Sequence, residues 1–477
     1  MQQKAETSMQ TTIPGVIACG MDVHKEKIDA CIRIGDGSAD GNVIIKTFST
    51  MRKSLFELRD WLISLNCFKV LMESTGVYWM PAYFILEEVE GMNVGIGNPR
   101  DLKNSPGRPK TDKEDAKWLS RLCMFGLVLK SFVVERPYRE LREYTRYHKK
   151  LVQERARQIN RIEKLLQMNG FKLSSVLSDI TGVSGTRILN RLARQGKLSV
   201  LDIQMDLDGR CKHTPEEIEI AINGVMKPTS RILLKFQLKK LENCDNEIDE
   251  IYGLMVSLSE EHAGAIQIIE SIPGMSTQSA IYVIAEIGTD LSSFRTANHL
   301  TAWAGLAPKE NQSADKARPK RTKKANQYIR SLMIQCAWAA TRTRDTRLSL
   351  WYWRNKSRIG DKKAITAVAR KQLCYIYAML RDGAFYDKSL DDAYANNVKA
   401  IKLDAAQKII GSHKNDVKTG KSKDVRSAPD LYCIPKEPEL ADNESGRIKQ
   451  LENGIESPSN TALQKKRGRP KKVISPD

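Results

Sequence analysis

Val16 to Val23 reads VIACGMDV, eight residues that are apolar or small except for one carboxylate, Asp22. A run this short and this rich in β-branched side chains specifies a strand rather than a helix. Working outward, Ile28 to Ile34 and Val43 to Phe48 have the same character, with turn chemistry between them at Gly35-Asp36-Gly37 and Asp40-Gly41. A helical pattern follows over Leu55 to Leu65, then a fourth strand at Lys69 to Met72, a helix over Ala82 to Glu90 and a fifth strand at Val94 to Gly97. Three sequential strands followed by alternating helix and strand describe a mixed α/β sheet.

Carboxylates fall at telling places on this pattern. Asp22 ends the first strand, Glu73 follows the fourth, and Asp112 and Asp115 lie three apart in KTDKEDAKWLSRL. That spacing puts both aspartates on one face of a helix, which can lean on the sheet and bring four acids to one point. Such a cluster is unfavourable unless a hard divalent cation fills it; Mg²⁺ (or Mn²⁺) with oxygen ligands is the natural occupant, suited to phosphodiester cleavage. Taken singly each acid is ordinary, and Asp112 could simply cap its helix. The ordered set on this strand pattern points to an RNase H-like domain.

The chain of 477 residues has material for two to four domains. Lys and Arg number 77 against 57 Asp and Glu, a formal charge of +20 that favours a polyanionic partner, nucleic acid first. Nine scattered cysteines without a C-x-x-C pair signal neither a disulfide framework nor a zinc finger. The first thirteen residues lack the apolar run of a signal peptide, and no stretch of eighteen apolar residues occurs, so a cytoplasmic, nucleoid-associated protein without membrane contact is expected.

Beyond the sheet, Glu140 to Met168 is helical and basic, and Arg231 to Leu258 carries near-heptad leucines interrupted at Asp245. The two suggest an antiparallel coiled-coil stalk; ordinary amphipathic helices on a core are the equal alternative. Asp179 to Gly185 and Ile272 to Ser276 are glycine-bearing turns before apolar helices, as in helix-hairpin-helix elements that face phosphates. From about Asn396 periodicity fades, apart from Ile401 to Ile410, and the tail reads as disordered. Its basic end resembles an AT-hook, Arg467-Gly468-Arg469-Pro470, with arginines suited to an A·T minor groove. The domain expectation is a 1–13 flexible leader, a 14–136 α/β domain, a 137–260 helical linker, a 261–390 mainly α domain and a 391–477 basic tail.

Gly20-Met21-Asp22-Val23-His24-Lys25, Met72-Glu73-Ser74-Thr75-Gly76, Lys110 to Ala116, and Gly305-Leu306-Ala307-Pro308 with Gln312-Ser313 together resemble the DEDD insertion-sequence transposases described as bridge-RNA-guided recombinases. The resemblance covers about Val16 to Asp387. It implies a RuvC-like domain using Asp22, Glu73, Asp112 and Asp115 as metal ligands, then a coiled-coil linker, then a transposase domain whose serine, by match of motif Ser313, attacks DNA. It further implies a homo-oligomer (dimer or tetramer), with sites completed between protomers, and a structured noncoding guide RNA that pairs with donor and target DNA. Two departures stand out: Asp315 where family members commonly carry Gly, and Lys324-Ala325-Asn326 where they carry Lys-Gly-Asn.

On its own residues, Ser313 reads as a loop serine with no adjacent histidine to activate it, so activation has to come from elsewhere. Arg318, Lys320, Arg321, Lys323, Lys324 and Arg330 form a basic run able to hold phosphates, the arginines bidentately. Trp338, Trp351, Tyr352 and Trp353 interleave with Arg342, Arg344, Arg347 and Arg354 and could stack bases or form a helical core face. The expected function is strand cleavage and rejoining in DNA transposition. A RuvC-like junction nuclease using water, or a non-catalytic nucleic-acid-binding protein, stay open as alternatives.

Overall fold

β1 (Val16–Val23) occupies the middle of a five-stranded sheet, and its side chains from Ala18 to Val23 are all buried, as a strand covered on both faces requires. The computed structural model describes residues 16–35, 42–74, 76–102, 111–128, 131–308, 312–313, 316–317, 322 and 325–418. After β1 come β2 (Lys27–Gly35), β3 (Asn42–Ser49), α1 (Arg52–Ser64), β4 (Lys69–Glu73), α2 (Trp79–Glu87), β5 (Asn93–Gly97), a short α3 (Pro99–Leu102) and α4 (Asp112–Phe125). The sheet order is β3-β2-β1-β4-β5: β1, β2 and β3 pair antiparallel, while β1, β4 and β5 pair parallel. This mixed sheet agrees with the sequence expectation, β1 matching at both ends and the other elements differing by at most three residues at either end.

Alternation along β1 divides two cores. Cys19, Met21 and Val23 face Leu55, Leu58 and Leu62 of α1 and Ala82, Tyr83 and Leu86 of α2. Ala18 faces the other way, with Leu71 of β4 and Leu119, Leu122 and Cys123 of α4. Gly20 shares that second face, and a Cβ placed there would lie 2.1 Å from the backbone N of Ser120 and 2.5 Å from the Ala116 carbonyl. The missing side chain lets α4 lie directly on β1.

α5 (Arg136–Met168) then runs through the molecule. α6 (Val183–Gln195), α7 (Val200–Asp206) and α8 (Pro215–Ala221) separate it from α9 (Pro228–Leu258). α5 and α9 pack antiparallel: Arg155 pairs with Asp245 at 2.5 Å, Lys240 with Glu154 at 3.5 Å, and Gln158 Nε2 donates to the Gln237 carbonyl at 3.2 Å. α9 is continuous through Asp245, where the heptad pattern lapses because that side chain faces an arginine of α5 rather than an apolar seam. At one end the pair builds a core with α6, through Ile162, Leu166, Leu189, Leu192, Leu234 and Leu238. At the other end Leu141 and Met255 enter the core of the C-terminal helices.

Those helices are α10 (Ala263–Glu270), α11 (Thr277–Ile287) and α12 (Ala297–Trp303); then a two-stranded hairpin of β6 (Gln312–Ser313) and β7 (Lys316–Ala317); then α13 (Gln327–Arg342), α14 (Arg347–Ile359), α15 (Asp361–Asp382) and α16 (Ser389–Lys418). α16 corrects the expectation of a structureless segment from residue 391: residues 391–418 are helical. Its start is tied down by Asp391, which is buried and accepts from Arg347 Nε at 3.2 Å and from Tyr386 Oη at 2.7 Å. α5 is locked to this domain by Glu286, only 2% exposed, which accepts from Arg146 Nε at 2.9 Å and from Asn326 Nδ2 at 2.6 Å. Asn326 in turn caps α13, its Oδ1 accepting from Tyr328 N at 2.9 Å.

Both glycine turns serve packing. A Cβ on Gly185 would lie 2.2 Å from the Ile180 carbonyl, and one on Gly274, at φ +84°, would lie 2.4 Å from Ala340 N of α13. Among the described residues no helix is long and apolar enough to cross a membrane. The 1–13 leader, the turn residues 36–41, Arg318, Lys320, Arg321, Lys323, Lys324 and the tail with Arg467 and Arg469 lie outside the described residues.

Candidate active site

Sheet register and one helix start assemble the site. Met21 pairs with Met72 across β1 and β4, so Asp22 and Glu73, one position further on each parallel strand, share the face covered by α4. Asp22 is 5% exposed and Glu73 9%. α4 begins at Asp112 because Thr111, not Asp112, is its cap: the Thr111 side chain accepts from Glu114 N. Asp112, Glu114 and Asp115 fill the first turn, where the positive end of the helix dipole favours acids. With α4 pressed onto Gly20, this acidic turn arrives at the end of β1.

His24 and Lys27 bind the acids together. His24 Nε2 lies 3.1 Å from Asp22 Oδ2 and 3.4 Å from Asp112 Oδ1. Lys27 Nζ lies 2.6 Å from Asp112 Oδ2 and 2.9 Å from Asp29 Oδ2. Asp29 stands opposite Asp22 in the antiparallel β1–β2 register, is 1% exposed, and also accepts from Thr47 Oγ1. Ligand atoms of Asp22, His24 and Asp112 all fall within 4.8 Å of one another.

Burial pushes the Asp22 carboxyl up from its ordinary range; His24 pulls it back, and the charges of Asp115 and Asp112 add to the rise. The Lys27 ammonium holds Asp112 below its ordinary range, with His24 acting the same way. The acids thus sit close enough to oppose one another; Lys27 of β2 supplies balancing positive charge, and the His24 ring nitrogen lies within reach of two of them.

Of the residues singled out in the sequence, Asp22 and Asp112 come together, Asp115 acts on Asp22 through its charge, and Glu73 stands beside Asp22 at the strand ends. Ser313 belongs to another part of the chain: it pairs with Lys316 in the β6–β7 hairpin, extended by a bridge between Pro308 and Thr322. That hairpin replaces the loop expected there. Arg330 is on α13, half-buried. His24, Lys27 and Asp29 escaped the sequence reading, although His24 falls on Asp22's side of the strand by simple alternation.

Comparison with known proteins gives the class. Residues 19–169 match a DEDD transposase family of the IS110 type, and residues 266–352 match the family described as Transposase IS116/IS110/IS902. The pilin gene-inverting protein of Moraxella bovis is 23% identical over 385 residues, 78% of this chain and 98% of that protein. The transposase for insertion sequence element IS1111A of Coxiella burnetii is 28% identical over 159 residues, 32% of this chain and 43% of that protein. The IS110 uncharacterized 43.6 kDa protein of Streptomyces coelicolor is 30% identical over 125 residues, so the alignment spans 26% of this chain and only 30% of that relative. The protein is an enzyme of the DNA transposase and recombinase class. More particularly, the two matched segments are similar to transposase domains of the IS110/IS116 type.

Proposed function

We propose that this chain cuts and rejoins DNA strands as an insertion-sequence transposase, with Asp22, Glu73, Asp112 and Asp115 forming the metal-holding half of the active centre and Ser313 the nucleophile. The observation that carries the reading is the docking of α4 on β1 over Gly20, which sets Asp112 against Asp22. The donor set suits a divalent cation: carboxylate oxygens fit Mg²⁺ or Mn²⁺, and an imidazole nitrogen is accepted more readily by Mn²⁺. When bound, such an ion supplies positive charge at a scissile phosphate and lowers the proton affinity of an attacking hydroxyl.

The chain's own residues do the rest. Lys27 and His24 hold the acidic cluster in a compact arrangement before DNA arrives. The Ser313 hydroxyl attacks phosphorus: a serine O–P bond forms, the DNA P–O bond breaks, and the departing oxygen takes up a proton. A hydroxyl of the incoming strand then attacks the phosphoserine, which restores the serine and seals the new junction. Each step exchanges one phosphoester bond for another, so no external energy source is needed.

In this reading the N-terminal domain is RNase H-like, the acids of one protomer meet Ser313 of another, and the partners are donor DNA, target DNA and a noncoding guide RNA. Support for the division of labour comes from the chain itself, since Asp22 and Glu73 stand on the five-stranded sheet and Asp112 and Asp115 on α4, whereas Ser313 stands in the separate two-stranded β6–β7 sheet. The test is adduct trapping. Protein incubated with element-end DNA, denatured and run on a gel should show a covalent protein–DNA species that Ser313→Ala abolishes. Continued strand cleavage by Ser313→Ala would instead favour attack by water.

A further inference from the structure

The fold sorts the tryptophan-rich segment into two groups. Tyr352 is 1% exposed and Trp351 packs partly buried against the C-terminal core. Trp338 and Trp353 face outward, 40% and 56% exposed, and both stand edge-on to Tyr352 with ring centroids 5.7 and 5.2 Å away. A single exposed ring needs no explanation, but two held beside the same buried tyrosine form a surface. Trp353 is also oriented: its Nε1 donates to the Thr341 carbonyl at the end of α13, at 3.3 Å. Its polar edge is therefore satisfied within the protein.

The surroundings are cationic. Between residues 342 and 358 there are six Arg and Lys against one acid, Asp345. Arg347 is spent on Asp391, but Arg342, Arg344 and Arg358 are exposed, Arg358 donating to Asn355 Oδ1 at 2.9 Å, and Lys356 Nζ, paired with Asp361 at 3.1 Å, lies 4.9 Å from the Trp353 ring centroid. Indole faces among cations suit a polyanion that also offers flat apolar faces. A duplex hides its base faces and can engage only the charges; an unpaired strand offers both. Strand exchange between DNA molecules separates paired strands, so an enzyme of this class has such a ligand.

We infer that Trp338 and Trp353, framed by Arg342, Arg344, Lys356 and Arg358, form a stacking surface for an unpaired DNA strand. The surface is distinct from the carboxylate cluster and does not depend on Ser313 or a metal ion. Its test is binding of the full-length protein to dye-labelled oligothymidylate of about 15 nucleotides, and to a duplex of equal length, read by fluorescence anisotropy. Trp353→Ala and Trp338→Ala should each weaken single-strand binding by about fivefold to a hundredfold while duplex binding changes less than about twofold; Trp353→Phe, which keeps a ring, should retain most of the affinity. Arg344→Ala should weaken both ligands and reduce the salt dependence by about one unit of slope. The assignment is overturned if both tryptophan variants bind the oligothymidylate like the wild type, if single strand and duplex weaken together, or if an oligouridylate of equal length binds more tightly than the oligothymidylate.

Discussion

Gly20 shows how much of the site hangs on one missing side chain. It is extended backbone that any residue could adopt, so its role is space: α4 passes so close that an added Cβ would collide with the Ser120 and Ala116 backbone. Gly20→Ala should therefore push α4 off β1, at a cost of about 1–3 kcal/mol or more, because overpacking against backbone cannot be relieved by a rotamer change. Urea denaturation reads this directly; a variant as stable as the wild type would show that α4 is free to shift. The acids themselves were legible in the sequence, because Asp22, Glu73 and the Asp112/Asp115 pair fall at strand ends and on one helix face. Lys27 and Asp29 were not, because their place in the cluster depends on the β1–β2 register that sets Asp29 opposite Asp22, whereas His24 could have been found by alternation from Asp22. Register is a pairing property that a strand's own residues do not carry alone.

At the scale of elements, α5 is the part that joins the rest. Arg139 on its first turns pairs with Glu87 of α2, Arg146 with Glu286 of α11, and Arg155 with Asp245 of α9. Between these, His148 is 2% exposed and its Nδ1 shares a hydrogen bond with Tyr282 Oη of α11 at 2.8 Å, with Tyr252 and Asp249 of α9 on the other side. Burial pushes the imidazole below its ordinary value of 6.5, and Asp249 offsets this in part. The folded state thus favours neutral His148 while the unfolded chain takes up the proton first. Stability tied to this residue is fully present above about pH 6.5 and is lost as pH falls from there toward the lower folded-state value. Unfolding midpoints measured between pH 8 and pH 5 should fall in the acid limb, and His148→Gln should flatten that fall; identical slopes would remove His148 from the account. Helix periodicity made α5 and α9 readable, whereas α16 was missed because its polar composition hides a helix that Asp391 and its partners anchor. The β6–β7 hairpin was missed because the segment around Ser313 carries none of the Asn-Gly or Asp-Gly signals of tight hairpins.

Across the whole molecule, the proposed division of labour has the sheet domain supplying acids and the β6–β7 hairpin supplying the serine, while α5 is tied to both α2 and α11. The net charge of +20 suits a protein that must grip DNA while both act. Long-range arrangement of this kind is the least legible property of a sequence, since no local pattern says which distant segments of a chain come together. On the proposed reading, the cluster at the end of β1 drives strand chemistry with a divalent ion. The measurement is cleavage of supercoiled DNA bearing the element ends, by protein purified with its bound nucleic acid, across a titration of Mg²⁺ and Mn²⁺ for the wild type and Asp22→Asn. Cleavage should require the metal and fall by at least about a hundredfold in the variant. Wild-type cleavage persisting in chelator, or an Asp22→Asn variant that cuts as fast as the wild type, would contradict it.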